Sequence, residues 1–326
     1  MPADLMSLME AGGLAPLHLG GRTLLPIVQG GMGVGVSASG LASAVARCGG
    51  MGTISSVDLR RRHADLMAQT AHLDKEPDAR ERINAANLTA LDREIRTARA
   101  ASQGQGWIAV NVMKALSAYE AYVRQALQSG ANALVVGAGL PLDLPELARE
   151  HPDVALIPIL SDARGVQLLV RKWMRKNRLP DAIVIEHPRL AGGHLGAAKL
   201  EELHDPRFEF ENVIPQVLAF LRESGIEREI PLIAAGGIRS HADIARVQAL
   251  GAAAVQLGTP FVATHGDRTA TVTRWCTART MRSRTESAMA ALQLGQCGLD
   301  LTGLRHLANL LHAVALSPDL QHRTRG

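Results

Sequence analysis

The chain has 326 residues, 47% of them hydrophobic, and a formal net charge of +4, enough for a large core and for an α/β barrel of about 250 residues with additions. No apolar run approaches the ~18 residues needed to span a membrane. The three cysteines, Cys48, Cys276 and Cys297, lack C-x-x-C spacing, and the four Phe, two Tyr and three Trp do not alternate with basic residues; a disulfide framework, a structural zinc site and a stacking platform for nucleic acid are therefore not expected.

The opening MPADLMSLMEAGG carries Asp4 and Glu10 and no basic n-region, so it does not read as a signal peptide. With the cysteine pattern, this points to a soluble protein of the reducing cytoplasm.

Strand-like runs then recur at intervals too long for hairpins. In chain order they are LLPIVQG (24–30), GMGTISSV (50–57), WIAVNVM (107–113), ALVVGAG (133–139), ALIPILS (155–161), AIVIEHP (182–188), IPLIAAGG (230–237) and AAVQLGT (253–259). Helix-like stretches lie between them. ASGLASAVARC has a small-residue apolar face, and SAYEAYVRQALQSGA has the i, i+3, i+4 rhythm and a glycine stop. GVQLLVRKWMRKN and ENVIPQVLAFLRESG follow the same pattern, and SHADIARVQALGA opens with Ser240 and Asp243 at capping-box spacing.

Eight near-continuous apolar strands alternating with helices predict a parallel sheet buried on both faces. Eight is the number that closes a (β/α)₈ TIM barrel. A doubly wound open sheet is the alternative, but QGGMGVG after the first strand does not match G-x-G-x-x-G. The interval 58–106 reads as an elaborated second crossover with two helices, in which DKEPDARERINAAN (74–87) is an exposed loop. Residues 1–280 form the expected barrel, with an insertion at 197–229 after strand six, and 281–326 form a C-terminal helical extension.

In such a barrel the functional residues sit at the C-terminal ends of the strands. Small residues gather there: Gly30, Gly31, Met32 and Gly33; Ser55 and Ser56; Asn111; Gly137 and Gly139; Ser161; Gly192, Gly193 and His194; Gly236 and Gly237; Gly258 and Thr259. The opposite ends are less glycine-rich, which favours a backbone-lined ligand site over simple turns. The ends of strands seven and eight suit phosphate binding through backbone N–H groups. Gly30 to Gly33 and Asn111 could face a flat ring across the mouth. Phosphate and planar ring together suggest FMN. Arg239 either adds charge to that phosphate or is a surface arginine.

The fragments PIVQGGMGVG, VNVM, LAGGHLG, PLIAAGGI and AAVQLGTPFVAT, in this order over roughly residues 16–266, resemble the nitronate monooxygenase (2-nitropropane dioxygenase) family, which includes FMN-dependent enoyl-ACP reductases. The resemblance implies an FMN-binding TIM barrel. It implies FMN contacts from Gln29, Gly30, Gly31, Met32, Asn111, Gly193, Gly236, Gly237, Gln256, Leu257, Gly258 and Thr259, no metal, and His194 in A-G-G-H as the catalytic histidine. A histidine takes a proton near neutral pH, which suits removal of a C–H proton beside a nitro group or donation to an enoyl carbon. His187 is the second candidate. One extra residue separates Glu186 from A-G-G-H, so no role is carried over to Glu186. Phe208 and Phe210 are either lid residues or core.

The resulting expectation is an FMN-dependent oxidoreductase that converts alkyl nitronates and O₂ to a carbonyl compound and nitrite. The alternative is an NAD(P)H-dependent enoyl-thioester reductase, including a trans-acting reductase in polyketide or fatty-acid assembly. A non-enzymatic FMN-binding subunit is a third class. A homodimer through the apolar run LRHLANLLHAVAL (304–316) competes with packing of that run on its own barrel.

Overall fold

The structure, a computed structural model, describes residue 9 and residues 12–73, 76–192, 196, 197 and 199–262. The expected extension 281–326 lies outside the described residues, as do Gly193 and His194.

All eight expected strands form. They are β3 (Ile27–Gln29), β4 (Met51–Ser55), β5 (Trp107–Met113), β6 (Ala133–Gly137), β7 (Ala155–Leu160), β8 (Ile183–Glu186), β9 (Leu232–Ala235) and β10 (Ala254–Leu257). They pair in parallel and close as β10-β3-β4-β5-β6-β7-β8-β9, a (β/α)₈ barrel. The seam closes through Gln256 opposite Val28 and, on the other side, Ala235.

Strand periodicity separates two apolar layers. Val28, Met51, Ala109, Val135, Ile157, Val184 and Ile233 fill the barrel interior. Ile27, Ile54, Val110, Val136, Ile183 and Ile185 face outward. Helices α1 (Ser39–Arg47), α2 (Ala64–Thr70), α3 (Ala79–Ser102), α4 (Tyr119–Gln128), α5 (Leu144–Leu147), α6 (Ala163–Met174), α7 (Phe210–Glu223), α8 (His241–Ala249) and α9 (Thr259–Val262) follow the strands. The outward layer is shared with helix residues such as Val45, Ile95, Val123, Leu169, Val217 and Val247, as two-sided burial of a parallel sheet requires.

Two elements escaped the sequence reading. Residues 17–24 form an antiparallel hairpin of β1 (Leu17–Leu19) and β2 (Arg22–Leu24), with Leu17 opposite Leu24. Leu17, Leu19 and Leu24 join the interior cluster together with Met51 and Trp107, the first residues of their strands. Arg22 also donates to the Gly106 carbonyl at 3.1 Å. The hairpin therefore covers the N-terminal end of the barrel, leaving the C-terminal mouth as the working face.

The stretch 74–87 is the second departure. From Ala79 it is not a loop but the start of the 24-residue helix α3. Ala86, Ala90, Leu91, Ile95 and Ala98 are buried, so the helical period starts inside the charged run and places Arg80, Glu81 and Arg82 outside. Between strand six of the barrel and β9, two 3₁₀ turns (Leu200–His204, Pro206–Phe208) precede α7. Phe208 and Phe210 are both buried, which settles them as core and not lid. Among the described residues, no helix is long and apolar enough to cross a membrane.

Candidate active site at the barrel mouth

Alternation decides what reaches the mouth. In β5, Ala109 faces the interior and Val110 and Val112 face out, so Asn111 points inward. By the same count Gly30, Ser55, Glu186 and Gln256 face the barrel axis, and Gln29 and His187 face the helix layer. This brings Gly30, Gly31, Asn111 and Gln256 together.

The approach of Gly31 to Asn111 is very close. A β-carbon on Gly31 would lie 2.4 Å from Asn111 Cβ and 2.9 Å from its Oδ1, so only glycine fits. The Asn111 amide donates to the Val135 carbonyl at 3.1 Å, which fixes its plane. Gly30 donates to the Leu257 carbonyl at 2.8 Å, and its side-chain position would touch Gln256 Cγ at 3.4 Å. Among the described residues, Gln256 Oε1 is buried without a hydrogen-bond partner, as are Thr53 Oγ1 and Ser56 Oγ. Unpaired buried polar atoms are uncommon; Gln256 Oε1 can only accept, whereas the two hydroxyls can donate or accept.

Gln29 plays a different part. It is fully buried, donates from Nε2 to Ser37 Oγ at 2.6 Å and accepts from Thr53 N–H at 3.0 Å. Ser37 Oγ in turn donates to the Gly30 carbonyl and accepts from Met32 N–H. The side chain is consumed in shaping the 30–37 loop.

At the end of β9, Gly236 and Gly237 have φ of 108° and 72°, a region glycine occupies without strain. Ser240 caps α8, and the expected capping box with Asp243 is present. The Asp243 carboxylate also accepts from the N–H groups of Arg239 and Ser240, each at 3.0 Å. Burial opposes ionisation of Asp243, but these hydrogen bonds outweigh it and hold the carboxyl below its ordinary range. The Arg239 N–H is thus spent within the protein, and its side chain is exposed. At the end of β10, Gly258 is half-buried and Thr259 exposed. A β-carbon on Gly258 would make only ordinary contact with Met32 Sδ, at 3.6 Å.

The chain turns after β8. His187 N–H bonds the Ala235 carbonyl at 2.8 Å, and its own carbonyl accepts from Leu190 and Ala191. The ring is 1% exposed, edge-on to Phe210 at 5.9 Å between centroids, and lies 3.4 Å from Glu209 Oε2 through Nε2. Burial lowers its pKa against the opposing pull of Glu209. His187 therefore belongs to the support of the loop and not to the mouth. Gly192 is exposed, and among the described residues a β-carbon there would meet nothing within 4 Å.

The sequence reading assigned no role to Glu186. It is the last residue of β8 and 5% exposed, and it lines a cavity of about 170 Å³ beside Ser161 and Gly196. No sequence signal marked it: residues 182–185, AIVI, are apolar throughout, and only the barrel shows that Ala182 and Val184 face the interior, with Glu186 next in that i, i+2 series. Among the described residues, no group of three or more His, Cys, Asp or Glu could hold a metal ion.

The nitronate monooxygenase family model matches residues 21–289. The chain belongs to the nitronate monooxygenase family. It is 30% identical over 250 residues to a nitronate monooxygenase from Paraburkholderia phytofirmans, covering 73% of this chain and 63% of that protein. An 88-residue segment is 41% identical to archaeal glutamate synthase (NADPH) from Methanocaldococcus jannaschii, covering 27% of this chain and 17% of that protein. The chain thus spans less than two thirds of the length of either curated relative. Among solved structures, nitroalkane oxidase from Streptomyces ansochromogenes aligns with a TM-score of 0.57 at 18% identity, covering 97% of this chain and 99% of that one. At that identity the likeness concerns the fold, which places this member of the nitronate monooxygenase family among barrels of similar extent.

Proposed function

We propose that the chain is an FMN-dependent oxidoreductase that oxidises alkyl nitronates with O₂ to a carbonyl compound and nitrite. Membership of the nitronate monooxygenase family supports the class of chemistry. The observation that carries the cofactor reading is the pairing of a flat backbone surface with an orphan acceptor. Gly31 lies flush on Asn111, and the unpaired Gln256 Oε1 stands beside Gly30. A flavin ring presents a planar face and an N–H donor, and both features fit these residues.

Gly30, Gly31, Met32, Asn111 and Gln256 would hold the ring, with Gln29 and Leu257 acting through loop shape and backbone. The N–H groups of Gly237, Gly258 and Thr259 would hold the phosphate, with Gly236 shaping the turn and Gly193 completing the wall. Bound FMN supplies a two-electron acceptor that O₂ can reoxidise. His194 would take the proton from a neutral nitroalkane, and a preformed nitronate would not need that step. Small-molecule substrates, a cytoplasmic setting and a homodimer through 281–326 complete the proposal.

Anaerobic mixing of the purified flavoprotein tests this reading. A nitronate should bleach the flavin band, and admission of O₂ should restore it. Bleaching by NADPH but not by a nitronate would reassign the protein as an enoyl-thioester reductase. A flavin that neither reduces would favour the non-enzymatic subunit. Failure to retain FMN after reconstitution would overturn the cofactor assignment.

A further inference from the structure

We infer that the exposed face of α6 is a docking surface for an acidic helix of a partner protein, centred on Leu168 and lined by Arg164, Arg171 and Arg175. The inference does not depend on the reaction assigned above. It concerns a face of the barrel that the FMN reading leaves unused.

Periodicity makes the first point. α6 buries Ala163, Val166, Leu169, Val170 and Trp173 in the core. At 100° per residue, Arg164, Leu168, Arg171 and Arg175 fall within about 60° of one another on the opposite side. Arg175 is the C-cap and keeps α geometry. All four are exposed, as is Lys172 beside them. With a rise of ~1.5 Å per residue the stripe is about 16 Å long, three helical turns.

The needs of the helix itself make the second point. The macrodipole favours cations in the last turn, which accounts for Arg171, Lys172 and Arg175 without a partner. Arg164 is the second residue of α6, where the same field opposes a cation. Among the described residues, none of these four cations is paired with a carboxylate. The next two, Lys176 and Arg178, bind Glu146 and Asp181. Helix stability thus explains the charge at the end of α6 and not its continuation to the first turn.

Leu168 makes the third point. Among the described residues the exposed large hydrophobics are Leu168, Met174 and Leu190, and two of these lie on α6. Leu168 is 45% exposed, with a cation one turn before it and another one turn after. A lone exposed leucine is ordinary. An apolar centre with a charged rim is the layout of an interface, where arginine and methionine are enriched and lysine is depleted.

These features select the occupant. Helices pack ridge into groove along one another. Acidic side chains at i, i+4, i+7 and i+11 of a partner helix would run beside the arginines, with an apolar residue over Leu168. A phosphate backbone would pair with the arginines but leave Leu168 uncovered, and the one aromatic of α6, Trp173, is buried and offers no base a stacking surface. A membrane-surface helix needs a broad apolar face to insert, and that face of α6 is already in the core. Asp162 and Gly165, at the start of α6, line the cavity beside Ser161, so the docked partner would stand at the rim of the barrel mouth.

Fluorescence anisotropy of the full-length protein with a labelled, alanine-based helical peptide of about 18 residues tests this. The peptide carries glutamates at i, i+4, i+7 and i+11 and a leucine on the same face; a second peptide has the same composition in scrambled order. The matched peptide should bind at least about fivefold more tightly than the scrambled one. Arg164→Glu should weaken it about tenfold. That variant should keep the parental urea midpoint or exceed it, because an acidic residue in the first turn suits the macrodipole. Leu168→Ala changes no charge and should also weaken binding severalfold. Equal binding of the two peptides, or unaltered affinity in either variant, would overturn the inference. Tighter binding of a single-stranded oligonucleotide or of phosphatidylserine vesicles than of the matched peptide would overturn it in favour of that partner. Absence of binding to every probe would overturn it too, and would return the face to solvent or to another segment of this chain.

Discussion

Gly31 and Asn111 form one surface: the backbone of the first rests on the side chain of the second so closely that a β-carbon on residue 31 would stand 2.4 Å from Asn111 Cβ. The loop after β3 and the non-adjacent strand β5 are locked together at the mouth by the lack of a side chain. Gly31→Ala should therefore displace either the 30–37 loop or Asn111. Overpacking of this kind costs on the order of 1–3 kcal/mol. Urea denaturation should report that loss, and the flavin absorbance per protein should fall with it. Wild-type stability and occupancy would show that the loop adapts freely.

The phosphate assignment is tested more cleanly at Gly258 than at Gly237. A side chain on Gly237 is strained by its φ of 72° and would meet Leu190 Cδ1 at 2.8 Å. Among the described residues, a side chain on Gly258 makes only ordinary contacts, with Met32. Gly258→Asp should keep the fold and lose FMN, because it places a carboxylate against the phosphate; Gly258→Ala should retain much more cofactor. Full flavin occupancy in Gly258→Asp would move the phosphate elsewhere.

Asp243 holds the 239–240 turn as well as capping α8. Asp243→Ala removes the acceptor for two backbone N–H groups and for Ser240 Oγ. Loss of a capping side chain typically costs ~0.5–2 kcal/mol, and a shift of the urea midpoint of that size is expected. A variant as stable as the parent would show that water replaces the carboxylate.

His187 gives stability a pH dependence of known sign. Burial lowers its folded-state pKa below the ordinary 6.5. The unfolded chain therefore takes up the proton first as pH falls. Its contribution is fully present above about pH 6.5 and is lost progressively below that value, down to the folded pKa. Urea unfolding at several pH values between 5 and 8 should show a decline on the acid side. His187→Gln should flatten part of it. An unchanged slope in the variant would assign the decline to other groups.

His194→Asn should leave folding and FMN binding intact. If His194 is the general base, the rate with neutral nitroalkanes should fall ~10²–10⁴-fold, the usual worth of such assistance. The loss with preformed nitronates should be much smaller. Parental rates with both substrates would remove His194 from the mechanism. His187 would not then inherit the role, because its ring is packed behind the strand layer.

The eight barrel strands and the cap of α8 were legible in the amino-acid sequence because each signal is complete within a short window. An apolar run bounded by small residues, or a serine three positions before an aspartate, needs no distant partner to be recognised. The hairpin 17–24 was not legible, because strands of three residues are too short to show a period. The start of α3 was masked by charge density, although the buried positions beneath it keep the helical rhythm.

The glycine clusters were visible as candidates, but sequence alone could not say which of them face a ligand. That depends on strand pairing, which sets Asn111 beside Val135 and Ser55 and closes Gln256 onto Val28. Tertiary structure alone decided that Gln29 braces a loop, that Asp243 consumes the Arg239 N–H, that His187 faces Phe210, and that Glu186 faces the cavity. For the three strand-end residues, Gln29, His187 and Glu186, the physical reason is the same. A strand sends successive side chains to opposite faces, so the function of a polar residue at a strand end turns on its parity and on neighbours far away in the chain. Neither is fixed until the barrel closes.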